Sequence, residues 1–409
     1  MTQARGSVEG ARWAVIVLTG MNLLNYIDRF VPSAVKDLFK VDLGLTDAQT
    51  SYPLTAFVIV YMLTSPLFGA LADHVPRKRL IAAGVALWSL ATAAAAFATG
   101  FWTFLLARAL VGVGEAAYAT LAPPMLADFF APARRNRVLT VFYVAIPVGA
   151  ALGFVLGGVI GAHWGWRAAF LVCGLPGLLA AAAALAIKDP GPGAWEVVPP
   201  GPAVGWPEAL RTLLRTPTYL YAVAGYTAVT FAAGGMADWF PAYLTRYRGM
   251  DVAAAGSLIG TVTVAGGLAG TALGGWLADR LKGRTRNAYL ALSACSMVPA
   301  AACAALALVV PAGPLVGVTM FFAQFFLWFY NGPINTIIAN AVGASMRARA
   351  FALSILSIHL FGDAISPPII GVISDQTGTL LPGVALVPAF MLLGAVIWGI
   401  GWRRLPELA

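Results

Sequence analysis

Charge is what this chain has least of: Asp, Glu, Lys and Arg make up 11% of its 409 residues, about half the share found in an ordinary soluble protein. Histidine and cysteine are also scarce, at three residues each. Cys173, Cys295 and Cys303 all fall in predicted helices, with neither the even count of a disulfide framework nor the spacing of a metal site. The sequence has no GxxxxGK[ST] phosphate loop and no HExxH zinc motif, which argues against an ATP-driven pump and an intramembrane metalloprotease. No enzyme activity, metal or cofactor is expected, and any driving force has to come from a gradient. A cleavable signal peptide is not expected either, because the first apolar segment carries Asn22 and Asn25 and lacks a small-residue cleavage site.

Apolar residues fill the space that charge leaves, at 60% of the chain. A membrane span needs roughly 20 predominantly apolar residues. Successive windows satisfy this near 13–37, 49–72, 80–99, 101–128, 138–162 and 167–187, then near 217–245, 252–278, 287–310, 314–342, 350–374 and 382–402. The expected fold class is therefore an all-α membrane protein of twelve transmembrane helices. It is divided into a six-helix bundle (1–187), a linker rich in Pro and Gly (188–216, with Pro190, Gly191, Pro192, Gly193, Pro199 and Pro200) and a second six-helix bundle (217–409). Nineteen of the 26 basic residues, from Arg5 and Arg12 through Arg77-Lys78-Arg79, Arg134-Arg135-Arg137 and Arg280–Arg286 to Arg403-Arg404, fall on one side of these spans. The positive-inside bias makes that side, with both termini and the linker, cytoplasmic. Topology thus accounts for the net charge of +9. A nucleic-acid partner is not expected, because the basic residues sit in short loops and form no continuous stripe.

Four charges stand inside the first bundle's apolar runs: Asp28 and Arg29 in the first span, Arg108 and Glu115 in the fourth. Each costs about 2.5–3.5 kcal/mol at membrane depth on the insertion scale, so such residues mark ion or substrate pathways. Arg108 and Glu115 are seven residues apart, on one helix face and separated by about 10.5 Å along the axis. Asp28 is a candidate partner for Arg108. A carboxylate that loses its Arg to a substrate anion can take up a proton, which would make the cluster a coupling device. A buried salt-bridge network that only orients helices is the other reading. In the second bundle His359 and Asp363, four apart, share a face of the eleventh span, and His is suited to titrate near neutral pH.

The chain also repeats itself. GALADHVPRKR (Gly69 to Arg79) follows the second span and GGWLADRLKGRTR (Gly274 to Arg286) follows the eighth, each with a Gly four residues before an Asp and a basic cluster after it. Two six-helix halves joined by a loop is a common transporter plan, with substrate bound near the midplane. The two loops resemble the conserved cytoplasmic loop of the major facilitator superfamily. The resemblance makes Gly69, Asp73, Arg77, Lys78, Gly275, Asp279 and Arg280 candidates for a conformational latch. His74 and Pro76 depart from the family pattern, so a weaker and partly pH-dependent latch is expected in the first copy.

NYIDR (Asn25 to Arg29), RALVGVGEAAYATLAPPMLADFF (Arg108 to Phe130), FYVAIPVGAALGF (Phe142 to Phe154) and HLFGDAISP (His359 to Pro367) together resemble the Spinster family, whose members move sphingosine phosphates and lysophospholipids. The resemblance implies a monomeric, alternating-access carrier of anionic amphiphiles in the bacterial inner membrane, coupled to protons. Asp28, Glu115 and His359 are then candidates for proton coupling. Arg29, Arg108, Tyr143, Trp239, Trp328, Asn331 and Asp363 are candidates for binding the lipid-like substrate, with Trp239 and Trp328 on an apolar wall for its tail. The first motif also resembles that of organic-anion symporters, which leaves small soluble anions as an alternative; a receptor or scaffold without flux is a third reading. Glycines recur every fourth residue at Gly149, Gly153, Gly157 and Gly161, and at Gly266, Gly270 and Gly274. Such stripes permit close helix approach. The superfamily resemblance places them where the fifth and eighth helices meet across the halves. Pro123-Pro124, Pro147 and Pro367-Pro368 are expected to bend their helices.

Overall fold

A computed structural model describes residues 7–191, 205–343 and 346–405. Arg5 and the central linker residues 192–204, with Pro192, Gly193, Pro199 and Pro200, lie outside the described residues. The described residues are predominantly helical: α1 (Ala11–Ala34), α2 (Lys36–Leu43), α3 (Asp47–Leu71), α4 (Arg77–Ala95), α5 (Phe101–Asp128), α6 (Pro132–Gly174) and α7 (Pro176–Leu185) come first. They are followed by α8 (Trp206–Leu214), α9 (Pro217–Arg248), α10 (Val252–Leu281), α11 (Ala288–Val309), α12 (Pro314–Leu327), α13 (Asn331–Asn340), α14 (Arg347–Ile358), α15 (Ser366–Thr377), α16 (Leu381–Val384) and α17 (Leu386–Arg404). Two compact units result. One holds the chain up to residue 199 together with Met250–Gly260, and the other holds residues 200–249 and the chain from Thr261 on.

Ten helical stretches among the described residues are long and apolar enough to cross a membrane. One of them, Arg137–Leu185, breaks at Gly165, whose φ of 82° and ψ of 163° lie outside the helical region, and so supplies two crossings. The 19-residue α4, packed against α5 and α7, supplies a further one. All twelve predicted spans are thus helical, but several are composite. The tenth is α12, a 3₁₀ turn at Trp328–Tyr330 and α13; the eleventh is α14, a π-helical turn at His359–Asp363 and α15. Pro123, Pro124 and Pro147 remain inside α5 and α6, whereas Pro367 and Pro368 sit in the first turn of α15. That is where the missing N–H groups do least harm.

Local chemistry sets the ends of these helices. Thr46 and Gln49 form a reciprocal capping box that starts α3, and Gly44 takes the left-handed conformation (φ 63°) that ends α2. Asp42 on α2 accepts hydrogen bonds from Arg167 and from the Trp166 indole, fixing that short helix to the segment just after the Gly165 break. The Arg167 hydrogen bond holds the Asp42 carboxyl below the usual carboxylate range. Beneath it Phe39, Phe104, Trp166 and Phe170 close one end of the first unit's core.

The glycine stripes pack differently from what the resemblance implied. A Cβ on Gly149 or Gly153 would lie 2.7 Å from the carbonyl oxygen of Leu23 or Ile27, and Gly157 and Gly161 face Val31, Ala34 and Val35. The α6 stripe is therefore a seam with α1. Gly158, about 100° further round the helix, is the residue that meets Val252 and Gly256 at the start of α10, within the first unit. Gly266, Gly270 and Gly274 face Phe321, Phe325 and Phe329, the aromatic ridge of α12 and the turn after it.

The two repeated loops also differ in what they hold. Arg77 bonds Asp128 at 2.7 Å and Asp189 at 2.5 Å, and Lys78 donates to the carbonyls of Leu185 and Ile187, so the root of the linker is tied to the ends of α4 and α5. The N-terminal segment joins the same knot: the Val8 amide donates to Phe129, and Lys188 pairs with Glu9. Asp73 and His74 are exposed, and the neighbour nearest to Gly69 is a Thr120 methyl 3.9 Å from its added Cβ. The anions that meet Arg77 are thus distant in sequence. In the second loop Asp279 accepts from the Tyr289 hydroxyl, Arg280 lies 5.0 Å from the Trp276 ring and Gly275 faces open space.

Four outcomes are expected. Gly274→Ala should lower thermal stability in detergent by about 1–3 kcal/mol, because its methyl meets Phe329 backbone at 2.5 Å. Its neighbour Gly275→Ala should be neutral or slightly stabilising, since alanine is the better helix former. Arg77→Ala removes the cation that bridges Asp128 and Asp189 and should cost about 3 kcal/mol, with faster proteolysis at the root of the linker as a second readout. The Asp42 pairing contributes stability above the usual carboxylate range, and that contribution is lost as pH falls through its lowered pKa. The difference in melting temperature between wild type and Asp42→Asn should therefore vanish toward the acid end of a pH series.

Candidate functional site

The intramembrane charges of the first unit converge, through pairings that spacing alone did not determine. Arg29 donates from Nε (3.1 Å) and NH2 (2.6 Å) to Oε2 of Glu115. Glu115 is fully buried, while the Arg29 side chain keeps 19% of its surface open. Asp28 and Arg108 are each 1% exposed and within electrostatic reach of one another. No direct hydrogen bond joins these candidate partners, and Trp88 and Thr92 are the polar neighbours of Asp28. Two cations and two anions thus form one electroneutral group, but only one pair is in contact. Such grouping is what makes charge tolerable at membrane depth.

Close helix approach assembles this group. A Cβ on Gly112 of α5 would lie 2.5 Å from the Phe57 carbonyl of α3, and one on Gly114 would lie 2.4 Å from the Gly84 carbonyl of α4. The two neighbours of α5 therefore press in on either side, bringing Phe57 and Trp88 to the charges. The Phe57 ring centroid is 5.0 Å from the Arg29 guanidinium and 5.7 Å from that of Arg108. Tyr26 (4.8 Å) and Tyr61 (5.6 Å) complete an aromatic surround of Arg29. Cation–π attraction of this kind contributes about 0.5–2 kcal/mol. Tyr118 and Asn22, bonded to the Leu18 and Phe142 carbonyls, brace α1 against α5 and α6. Tyr143 lies on α6, half exposed.

The sequence reading missed Tyr26, Phe57 and Tyr61. A signal was present for Tyr26, which is three residues before Arg29 and so on the same face of the helix. Phe57 and Tyr61 share a face of α3, but nothing in the sequence said that this face meets α1.

In the second unit His359 Nδ1 lies 3.0 Å from both Asp363 oxygens, across the π-helical turn, and each side chain is 29% exposed. The turn seats against α9 because Gly234 has no side chain: an added Cβ would be 2.6 Å from that of Asp363. Tyr226 stacks edge-on to Tyr330 at 5.2 Å, with Asn335 and Asp363 beside it. Asn335 in turn donates to the carbonyl and side-chain oxygens of Asn331. Trp328 is partly exposed and held by Gln324. Trp239 is different: it is fully buried, and its indole donates to the Pro367 carbonyl at 2.8 Å. It packs the interior where a wall residue was expected.

Comparison with known proteins accords with this architecture. The model of the Major Facilitator Superfamily matches residues 18–367. Human protein spinster homolog 1 is 35% identical over 384 residues, spanning 88% of this chain and 72% of the human protein. The Drosophila melanogaster protein spinster is 34% identical over 383 residues, covering 90% of this chain and 63% of that protein. Among solved structures, a bacterial homologue of the human lysosomal transporter Spinster superposes in its inward-facing unoccupied form with a TM-score of 0.81 at 22% identity, over 97% of this chain and 96% of that one. Its occupied form gives a TM-score of 0.83 at 21% identity, over 98% of each chain. These are transporters, and the common fold is that of a multi-pass membrane protein. By the superfamily match across most of its length and by identity to proteins of known family over most of theirs, this chain belongs to the Spinster family of the major facilitator superfamily.

Proposed function

We propose that this Spinster-type transporter carries anionic amphiphiles, lysophospholipids or sphingosine-phosphate-like lipids, by alternating access coupled to protons. It would act as a monomer in a bacterial inner membrane with both termini cytoplasmic. The single observation behind this reading is the Arg29–Glu115 pair, in which the acid is sealed and the base is partly open. An arriving phosphate competes with Glu115 for the guanidinium, and bidentate recognition of phosphate suits Arg. Glu115, left without its cation in a dry setting, is costly as an anion and takes up a proton. Substrate and proton are thereby linked through one exchange of partners.

Arg108 and Asp28 contribute differently in this scheme. Both are sealed, so Arg108 acts by keeping the group's charge balanced, and Asp28 is the second acid available for a proton. His359 with Asp363 is a second titratable pair, in the other unit. The tail is assigned to apolar and aromatic surface, with Trp328 and Tyr226 as candidates in place of the buried Trp239. Nineteen basic residues on one side support the orientation.

In proteoliposomes, Arg29→Ala should abolish transport of a phosphorylated lysolipid while the protein keeps its melting temperature to within a few degrees. Wild-type flux in this variant would overturn the headgroup assignment. Glu115→Gln should lose accumulation driven by a pH gradient but retain exchange of labelled for unlabelled substrate. Gradient dependence unchanged in both Glu115→Gln and Asp28→Asn would reduce the charge group to a structural role. Affinity should also rise with acyl length by about fourfold per methylene, equivalent to about 0.8 kcal/mol, until the apolar surface is filled. No dependence on length, together with tight displacement by a short sugar acid, would instead identify a carrier of soluble organic anions.

A further inference from the structure

The second unit contains a cavity that the transport chemistry does not use. It measures roughly 270 Å³ and lies where the loop after α10, the first turn of α11 and the end of α13 meet the start of α9. Lys282, Thr285, Thr218, Asn340, Asn287 and Tyr289 are the polar residues of its lining, and Ile337 and Leu290 form part of its apolar wall; no acidic residue is found among the described residues that line it. Arg284 and Arg286 stand in the same loop. The loop's own acid, Asp279, is engaged by the Tyr289 hydroxyl. A lining with one cation, several neutral donors and no anion selects for a negatively charged guest.

The cavity wall also contains a residue held in the left-handed conformation. Asn287 has a φ of 47°, the one non-glycine residue with positive φ among the described residues. Asparagine visits this left-handed region more readily than other side chains do, and its surroundings hold it there. Here the surroundings are the last turn of α17: Asn287 Nδ2 donates to the carbonyls of Trp402 and Leu405, and Arg286 donates to that of Leu405 as well. The loop is thus fixed by the end of α17 at a residue that itself lines the cavity. Ala288, Tyr289 and Leu290, the first turn of α11, line the cavity, and no side chain caps that helix. Their backbone donors add to those of the side chains.

We infer that this cavity is a binding site for a phosphate ester of glycerol size, the headgroup of an anionic phospholipid or its soluble counterpart, and that it is distinct from the transport pathway. The volume decides the size of the guest. Pockets for whole drug-sized ligands run from about 300 to 1,000 Å³, so this one accepts a headgroup and leaves acyl chains outside. Basic pockets between transmembrane helices on the cytoplasmic side are suited to such headgroups. The inference rests on the proposed orientation only in placing the site at the cytoplasmic leaflet.

Thermal stability of the purified transporter provides the test, titrated with phosphatidylglycerol in phosphatidylcholine nanodiscs and, separately, with glycerol 3-phosphate in detergent. Phosphatidylglycerol should raise the melting temperature over phosphatidylcholine alone. Lys282→Gln and Asn340→Asp should each raise the half-saturating concentration by about tenfold, as expected for losing one charge-assisted contact or placing an anion in the wall. Stabilisation by glycerol 3-phosphate to the same extent identifies a soluble ester as the guest, and stabilisation by the lipid alone identifies the membrane as its source. Arg29→Lys should keep the full response, which separates this site from the headgroup role of Arg29: loss of transport with the response intact would leave the present inference standing. No response to either probe in the wild type, or a response that Lys282→Gln and Asn340→Asp leave unchanged, would overturn it.

Discussion

Charge buried at membrane depth has to be neutralised, and the packing of the first unit follows from how that is done. Arg29, Arg108, Asp28 and Glu115 come from two helices, α1 and α5. The electroneutral group therefore exists only while those helices are held in register. The α6 glycine seam holds α1 from behind, and Gly112 and Gly114 admit α3 and α4 to either side of α5. With no hydrophobic force to distinguish helix from lipid, close approach of backbones is the available source of contact energy. The same small residues that give the bundle its stability thus position its chemistry.

Only one of the four charges is both paired and partly open. The other three are sealed, whereas the Arg29 side chain keeps part of its surface open. Asp28 and Arg108 form no direct hydrogen bond. In its place, Arg108 is within electrostatic reach of both acids and is hydrogen-bonded to neither. Aromatic rings complete the arrangement: Phe57 lies within 6 Å of both guanidinium groups, a neutral and polarisable neighbour that stabilises a cation without discharging it.

What was legible in the sequence follows from the strength of each signal. Apolar runs long enough to span a bilayer have few competing explanations, and all twelve proved helical. Intramembrane charges stand out for the same reason, as exceptions against an apolar background. Partner choice was less legible, because it depends on rotation. Gly157 and Gly158 are adjacent in sequence yet face α1 and α10 respectively, and an every-fourth-residue pattern cannot say which helix lies opposite. The π-helical turn at His359–Asp363 was invisible for a related reason. It depends on Gly234 of α9, more than a hundred residues away, leaving room for Asp363. Trp239 was misjudged because an indole in an apolar run reads alike on a wall and in a core; the Pro367 carbonyl decides between them.

The two repeated loops show how one inherited motif diverges once its surroundings differ. Both keep the Gly, the Asp and the basic cluster, yet in the first the cations do the holding, through Asp128, Asp189 and the linker carbonyls. In the second the cluster stands beside a cavity with no acid among its described lining residues, and its backbone is fixed by the carbonyls at the end of α17. A cation whose anions are supplied by its own chain forms a knot, and such a knot can only be strained or released. A cation without an internal partner is available to a ligand. Sequence symmetry between the halves therefore does not carry over to symmetry of role: the non-equivalent residues around each copy of the motif determine which charges are satisfied within the protein and which are left for lipid or solute.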